Sequence, residues 1–441
     1  MAKASRDQLN LIDMRGARRI ALLPLVGICG YLVYLCACWY FGNTLAEFAP
    51  PLDQGGQENA LTAVRLAPSD PLTHWVLGNL EKSSLDPSRW PEALAQYEQA
   101  VRLSPNDYRL WMDLGRAREQ SGDPAGGEKA LRRAVELGPA YGYPRWYLGN
   151  LLLRQGRRDE AFAELRLAGE ANSALRPQIF VLAWHFYDEN VSALETNLAG
   201  SPDARAQLAV FLAGQNRPDD AVRIWRSLSV ESRQDLIETG RALLSTLYVA
   251  NSFNAAAAIE KTLRTDGSAE RDKFSNPSFE LSIGGEDASL FAWKVNKAPL
   301  TEVSLDPNVF HSGRQSLRIA FKGYVDPFFT NIWQIVMVAP DTAYKLQFFV
   351  KSDALASGGP PLIEVFDPQD PKTVLGLQTP GITGNVDWQP ITVEFKTSAK
   401  TQAVAVRTNR GQCVAPCPIF GTIWYDDFNV QSVTAAVKPA N

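Results

Sequence analysis

Three hydrophobic patterns follow one another along the chain. From Ile20 to Phe41 no charged residue occurs, a run of 22 residues, long enough to cross a hydrocarbon core as a helix. From about 57 to 265 apolar positions recur at helical spacing, broken by short Gly-, Pro- and Asp-containing turns. After Thr265 the period changes to two. Leu317/Ile319/Phe321, Trp333/Ile335/Met337, Tyr344/Leu346/Phe348/Val350, Ile391/Val393/Phe395, Val404/Val406 and the stretch Trp424 to Val430 alternate with polar residues. The patterns predict a transmembrane helix, then an α-helical solenoid, then an antiparallel β-sandwich.

Within the helical stretch a unit repeats with an offset of 34. Leu114-Gly115 returns as Leu148-Gly149, Ala100 as Ala134 and Ala168, and Pro105 as Pro139. Gly and Ala at fixed places let paired helices approach closely, while Trp111, Leu114, Leu131 and Leu165 fill the space between hairpins. The unit resembles the tetratricopeptide repeat family, strongly over 71–172 and weakly over 174–265. A half-copy precedes it, since Ala63-Val64-Arg65-Leu66-Ala67-Pro68 mirrors Ala100-Val101-Arg102-Leu103-Ser104-Pro105. The resemblance implies a superhelix whose inner surface carries the residue three before each Gly and the one after it. These are Trp75 and Asn79, Met112 and Arg116, and Trp146 and Asn150, which it offers to a protein partner. An Asn amide pairs with both groups of an extended backbone, and a flat indole covers an apolar side chain or a sugar. The competing reading packs each Trp between helices and leaves Arg116 solvated. His74 and His185 read as packing or surface residues. In the turn Arg154–Glu160, Gly156 ends one helix, Asp159 starts the next, and the arginines read as solvated.

Charge orients the apolar run. Lys3, Arg6, Arg15, Arg18 and Arg19 precede it, and Glu47, Asp53 and Glu58 follow. The basic flank belongs in the cytoplasm, which places the N terminus inside and the bulk of the chain outside the inner membrane. A cleaved signal peptide lacks support, because Cys38-Trp39-Tyr40 offers no small-residue site, and Leu35-Cys36-Ala37-Cys38 is a poor lipobox. A buried soluble helix is the bland alternative. The expected divisions are 1–19 cytoplasmic, 20–41 transmembrane, 42–56 linker, 57–265 repeats, 266–274 linker, 275–432 sandwich and 433–441 tail. A net charge of −4 supplies no basic field for nucleic acid. Three histidines leave little room for a His-based centre.

In the sandwich, Asn276-Pro-Ser-Phe279-Glu280, Trp293, Ser312-Gly313-x-x-Ser316-Leu317, Tyr344-x-Leu346-x-Phe348, Trp388 and Trp424-Tyr425-Asp426-Asp427-Phe428 resemble the jelly-roll carbohydrate-binding modules and the wider galactose-binding-like family. By alternation Asp426 shares a face with Phe428 and Val430 and points inward, where a lone carboxylate is costly. The resemblance implies a structural calcium held by Glu280 and Asp426; bonding to backbone amides or an Arg is the equal alternative. Phe328, Phe329 and Trp388 are candidates for a sugar platform. Trp293, Trp333 and Trp424 read as core, and His311 as a loop residue. Cys413 and Cys417, outside the cytoplasm, suit a small-loop disulfide better than a metal pair. Cys29, Cys36 and Cys38 lie in the apolar span and act as small hydrophobes.

No phosphate loop, nucleophile elbow or zinc-protease motif occurs, so binding rather than catalysis is expected and no catalytic cofactor. The sequence points to an envelope scaffold for a surface or secreted polysaccharide, with the repeats on protein and the sandwich on glycan. A purely protein-binding assembly or secretion scaffold is the alternative.

Overall fold

A computed structural model describes residues 22–83, 87–264, 269–285, 288–324, 326 and 330–433. The expected cytoplasmic segment, and residues 434–441 of the tail, lie outside these. The chain forms two compact units, 1–189 and 190–441. Helices and strands meet at about residue 265, but the packing boundary falls earlier, inside the helical array.

The first unit opens with α1 (Leu22–Glu47). This helix does not stop at Phe41 but runs through the first six residues expected to be linker. Hairpins follow: α2 (Gly56–Leu66), α3 (Pro71–Ser83), α4 (Trp90–Leu103), α5 (Tyr108–Gln120), α6 (Pro124–Leu137), α7 (Gly142–Arg154), α8 (Arg158–Ala171) and α9 (Arg176–Phe186). The repeated small residues sit where helices touch. A Cβ on Gly115 would lie 2.7 Å from Leu131 Cγ, and one on Gly149 2.7 Å from Leu165 Cγ. Ala100, Ala134 and Ala168 are wholly buried. Turns are set locally: Asp107 and Asp123 cap α5 and α6 through Arg109 N and Gly126 N, and Gly156 takes φ +77° between α7 and α8. Asp159 falls in the first turn of α8, one place past its expected start. The arginines of that turn are not simply solvated. Arg154 bonds Glu119 through two nitrogens at 2.6 and 2.8 Å, and Arg157 meets Glu128 at 2.7 Å and Glu160 at 2.6 Å. Arg154–Glu119 and Arg157–Glu128 tie one hairpin to the preceding one and Arg157–Glu160 closes the start of α8, each contributing little at an exposed surface. His74 is buried between Gln96 and the Pro68 carbonyl, and His185 is exposed.

The second unit begins with α10 (Val191–Leu198), α11 (Pro202–Gly214), α12 (Pro218–Arg226), α13 (Val230–Asp235), α14 (Ile237–Val249) and α15 (Phe253–Leu263). Trp225, fully buried, lies over Gly240 and donates Nε1–H to Thr262 at 2.9 Å. The strands are β1 (Lys294–Val295), β2 (Thr301–Asp306), β3 (Ser316–Tyr324), β4 (Ile332–Met337), β5 (Ala343–Ser357), β6 (Pro361–Asp367), β7 (Asp370–Leu377), β8 (Gly384–Lys396), β9 (Ala403–Arg410) and β10 (Ile419–Ser432). They make two five-stranded antiparallel sheets, β1-β4-β9-β6-β7 and β2-β3-β10-β5-β8. Leu317, Ile319, Leu346, Phe348, Val350, Val404, Val406, Tyr425 and Phe428 fill the space between them. The α14–α15 hairpin belongs with the sandwich through specific contacts. Tyr248 meets Phe291 edge-on at 5.4 Å, Asn254 N donates to Gln402, and Gln369 donates to the Asn251 carbonyl.

Alternation misled at two strands. In β4 the residues joining the core between the sheets are Ile332 and Val336, so Trp333 lies on the opposite face and is only half-buried. In β10 the register shifts between Asp426 and Asn429, and Asp427 takes φ +53°. This bulge keeps both Tyr425 and Phe428 in the core and turns Asp426 to the outer face with Trp424. Trp424 is buried there all the same, donating its indole N–H to Asp306 at 2.9 Å.

Candidate functional site

The inner-face residues of the repeats divide into two groups. Trp75 donates Nε1–H to Asp113 at 2.8 Å, and Arg116 donates to the other oxygen of Asp113 at 3.1 Å. The Arg116 guanidinium also lies 4.3 Å over the Tyr147 ring. This chain links α3, α5 and α7 across successive repeats. Asn79 accepts a bond of 2.7 Å from the Tyr97 hydroxyl. Trp75, Asn79 and Arg116 therefore hold the solenoid together, and burial followed by Arg116 keeps the Lys82 ammonium below its usual range.

Met112, Trp146 and Asn150 line open recesses instead. Met112 shares one with Tyr108, Tyr141 and Tyr143. Tyr108 and Tyr141 stack at 4.5 Å, and Tyr141 and Tyr143 are half-exposed. Trp146 and Asn150 share another with Pro177, Gln178, Val181 and Leu182. The Asn150 amide donates to the carbonyl of Trp146 one turn back at 2.8 Å. Apolar recesses with rigid aromatic walls suit apolar side chains of a protein segment. The tyrosines escaped sequence reasoning, although Ala140-Tyr141-Gly142-Tyr143 at a hairpin turn was a visible signal.

On the sandwich, the outer face of β5 and β8 gathers a second constellation. Tyr344, Leu346, Phe348 and Val350 point inward, so Gln347, Phe349 and Lys351 point out. The His311 ring stacks on Phe349 with centroids 3.5 Å apart, and Trp388 meets His311 edge-on at 5.9 Å. His311 is placed by Asp427, which lies 2.7 Å from Nδ1 and also accepts from Ser278 and Ser312. Lys351 and Asp387 pair at 2.6 Å beside the rings, and Gln347 reaches Thr392. A flat aromatic step bordered by amide, ammonium and carboxylate groups is suited to a pyranose, whose C–H face stacks while its hydroxyls bond to the rim. Of the expected platform residues, Trp388 lies at this step. Phe349 was missed although the Tyr344–Val350 alternation already turns it outward, and His311 because it arrives from a loop distant in sequence. Phe328 and Phe329 lie outside the described residues.

Glu280 and Asp426 converge on one loop. Asp426 accepts from His311 N at 2.9 Å, Ser312 N at 3.2 Å and Asp427 N at 2.9 Å. Glu280 accepts from Arg314 N at 2.9 Å and Gln315 N at 3.4 Å. Burial pushes the Asp426 carboxyl up to about 6, partly offset by the N–H donors of His311 and Ser312. The Arg314 amide chiefly holds Glu280 below its usual range. Asp427 is also raised by burial, but bonds from Ser278, His311 and Ser312 outweigh that and leave it low. Both expected calcium ligands therefore face N–H donors, the opposite of what a cation requires. Among the described residues no three His, Cys, Asp or Glu side chains converge as a metal site. The pair fits the anchoring of loop 311–315 and does not fit a calcium ion.

Cys413 and Cys417 are joined by a disulfide. Buried Arg410 fixes that loop, donating to the Gly359 carbonyl, the Asp326 carbonyl, Ser357 Oγ and Cys417 Sγ.

Models of the family described as tetratricopeptide repeat match residues 80–145 and 120–174. The chain carries tetratricopeptide repeats. Among solved structures, one described as "CBM4 structure and function" is 17% identical, covering 36% of this chain and 100% of its own, with a TM-score of 0.28. "MamA RS-1 ArsTM double mutant" is 20% identical over 31% of this chain and 74% of its own, with a TM-score of 0.27. "Crystal structure of MamA" is 17% identical over 42% and 91%, with a TM-score of 0.24. No curated protein matches the chain.

Proposed function

We propose that this chain is a membrane-anchored, extracytoplasmic binding scaffold that serves assembly or recognition of a surface or secreted polysaccharide. The repeats take a protein partner in the Met112 and Trp146 recesses, and the sandwich contacts glycan through His311, Phe349 and Trp388. The aromatic step carries the glycan part of the reading. Its rings are preorganised by Asp427 and by stacking, so little side-chain freedom is lost on binding.

Among the described residues one helix is long and apolar enough to cross a membrane, and it lies near the N terminus. Its last turns pack into the folded unit: Ala46 is 2% exposed, and Asn43 donates to Asp70 at 2.8 Å. Cleavage after the apolar run would cut the helix at that packed end, which supports a retained anchor over a removed leader. The basic flank then places both units outside the cytoplasm, where the Cys413–Cys417 disulfide persists.

A glycan array probed with the detergent-solubilised full chain tests the reading. Binding that Trp388→Ala abolishes, with an unchanged melting temperature, supports it. No binding to any glycan removes the polysaccharide role and leaves the second reading, a scaffold that binds only protein.

A further inference from the structure

The end of α1 carries the signature of a repeat helix. Trp39-Tyr40-Phe41-Gly42-Asn43 reads in register with Trp75-Val76-Leu77-Gly78-Asn79, with Met112-Asp113-Leu114-Gly115-Arg116 and with Trp146-Tyr147-Leu148-Gly149-Asn150. The packing follows the same rule in all four. Each glycine faces a backbone carbonyl of the next helix and the side chain four residues beyond it. A Cβ on Gly78 would meet Ala93 O at 3.3 Å and Tyr97, and one on Gly115 would meet Gly127 O at 3.0 Å and Leu131. On Gly149 it would meet Ala161 O at 3.1 Å and Leu165, and on Gly42 it would meet Ala63 O at 3.0 Å and Ala67 Cβ at 2.7 Å. The other glycines of α1, Gly27 and Gly30, have nothing within 4 Å. Close approach thus begins at Gly42, and the half-copy at Ala63–Pro68 finds its missing first helix there.

Exposure changes over the same residues. Trp39, Tyr40 and Phe41 are 52%, 62% and 58% exposed, whereas Gly42 is buried. Phe48, beyond the end of the helix, is 74% exposed. Trp and Tyr at the end of an apolar span are the residues that settle at the headgroup level of a bilayer, with the indole and phenol half in each phase. We propose that the membrane-spanning helix is itself the first helix of the repeat array, and that its collar of Trp39, Tyr40 and Phe41 is a contact surface for the interfacial layer of a lipid bilayer. No flexible spacer separates membrane from array. The first hairpin rests on the lipid surface, and the repeat register starts there. This inference rests on the anchor reading above.

The test uses the full chain in phosphatidylcholine–phosphatidylglycerol nanodiscs, with intact mass recorded first. Gly42→Leu lowers the melting temperature of the first unit by about 5–10 °C, as overpacking at a helix crossing does, while Gly30→Leu leaves it unchanged. Because Gly42→Leu can also prevent folding, a second measurement uses the native packing. The fluorescence difference between the wild type and Trp39→Phe is quenched by lipids brominated near the headgroup and much less by lipids brominated near the chain end. Equal melting temperatures for the two glycine variants in a chain of full mass, or a Trp39 signal that neither lipid quenches, overturn the inference and leave the anchor standing. A mass showing that α1 has been removed overturns both.

Discussion

Gly149 and Leu165 meet where α7 packs closely on α8, and a double-mutant cycle on them measures how much of the solenoid depends on that approach. A methyl on Gly149 would lie 2.7 and 2.9 Å from two Leu165 atoms and 3.1 Å from the Ala161 carbonyl. Overpacking of this kind costs about 1–3 kcal/mol, and the gain in helix propensity from Gly to Ala returns about 1 kcal/mol. Gly149→Ala is therefore destabilising by about 0–2 kcal/mol. Leu165 is fully buried, so Leu165→Ala costs about 2–5 kcal/mol through lost burial and a cavity. In the double variant the new methyl occupies space that the leucine vacated. The double variant is then less destabilised than the sum of the singles by at least about 1 kcal/mol, within the range seen for residues in contact. Hydrogen exchange of peptides covering 142–171 in the full chain reads this locally, a factor of about 5 in protection per kcal/mol. Additive effects, within about 0.3 kcal/mol, refute the close-approach account of the repeated glycines.

Trp75→Phe removes the indole donor to Asp113 and lowers the stability of the first unit by about 1 kcal/mol, measured by urea unfolding; a neutral result places Trp75 among the binding residues instead. Asp426 is raised to about 6 in the folded chain, so the folded state holds more protons than the unfolded one between about pH 4 and 6. Its contribution to stability falls as pH rises through that window. Melting temperatures of wild type and Asp426→Asn should therefore show the variant faring better, relative to wild type, at pH 7 than at pH 4, and a constant difference contradicts the assignment. Addition of a calcium chelator leaves the melting temperature of the sandwich unchanged, because Glu280 and Asp426 already bond to amides; a fall of several degrees would restore calcium to the site. Arg410→Met removes donors to three protein oxygens and a disulfide sulfur. It lowers the sandwich melting temperature and speeds dithiothreitol reduction of Cys413–Cys417, which alkylation followed by mass measurement detects.

The repeats were legible because their small residues recur for one steric reason, and a regular spacing exposes it. The first repeat was not, although its signature is present as Trp39–Asn43. The apolar run absorbed Trp39, Tyr40 and Phe41 and the expected linker absorbed Gly42 and Asn43, so the half-copy at Ala63–Pro68 stood without a partner. The sandwich was legible as alternation, but alternation fails wherever a bulge inserts a residue. Asp427 in the left-handed region is one, and it moved Asp426 to the other face. Trp388 was readable as a flat ring near a sheet. Its companions were not recognised: Phe349 faces outward by the same alternation that buries Tyr344 to Val350, but no local pattern brings His311 onto it from a loop distant in sequence. Cross-repeat partners such as Trp75–Asp113 and Arg154–Glu119 are 38 and 35 residues apart, and a single copy of the pattern gives no hint of them.

In the proposed topology one retained helix holds the repeats and the sandwich outside the cytoplasm. Protease treatment of intact spheroplasts, with one epitope before Met1 and another after Asn441, tests it most directly. With that topology the C-terminal epitope is digested while the N-terminal one survives on a small membrane-bound fragment. Protection of both epitopes, or recovery of the full chain in the soluble cytosolic fraction, contradicts it.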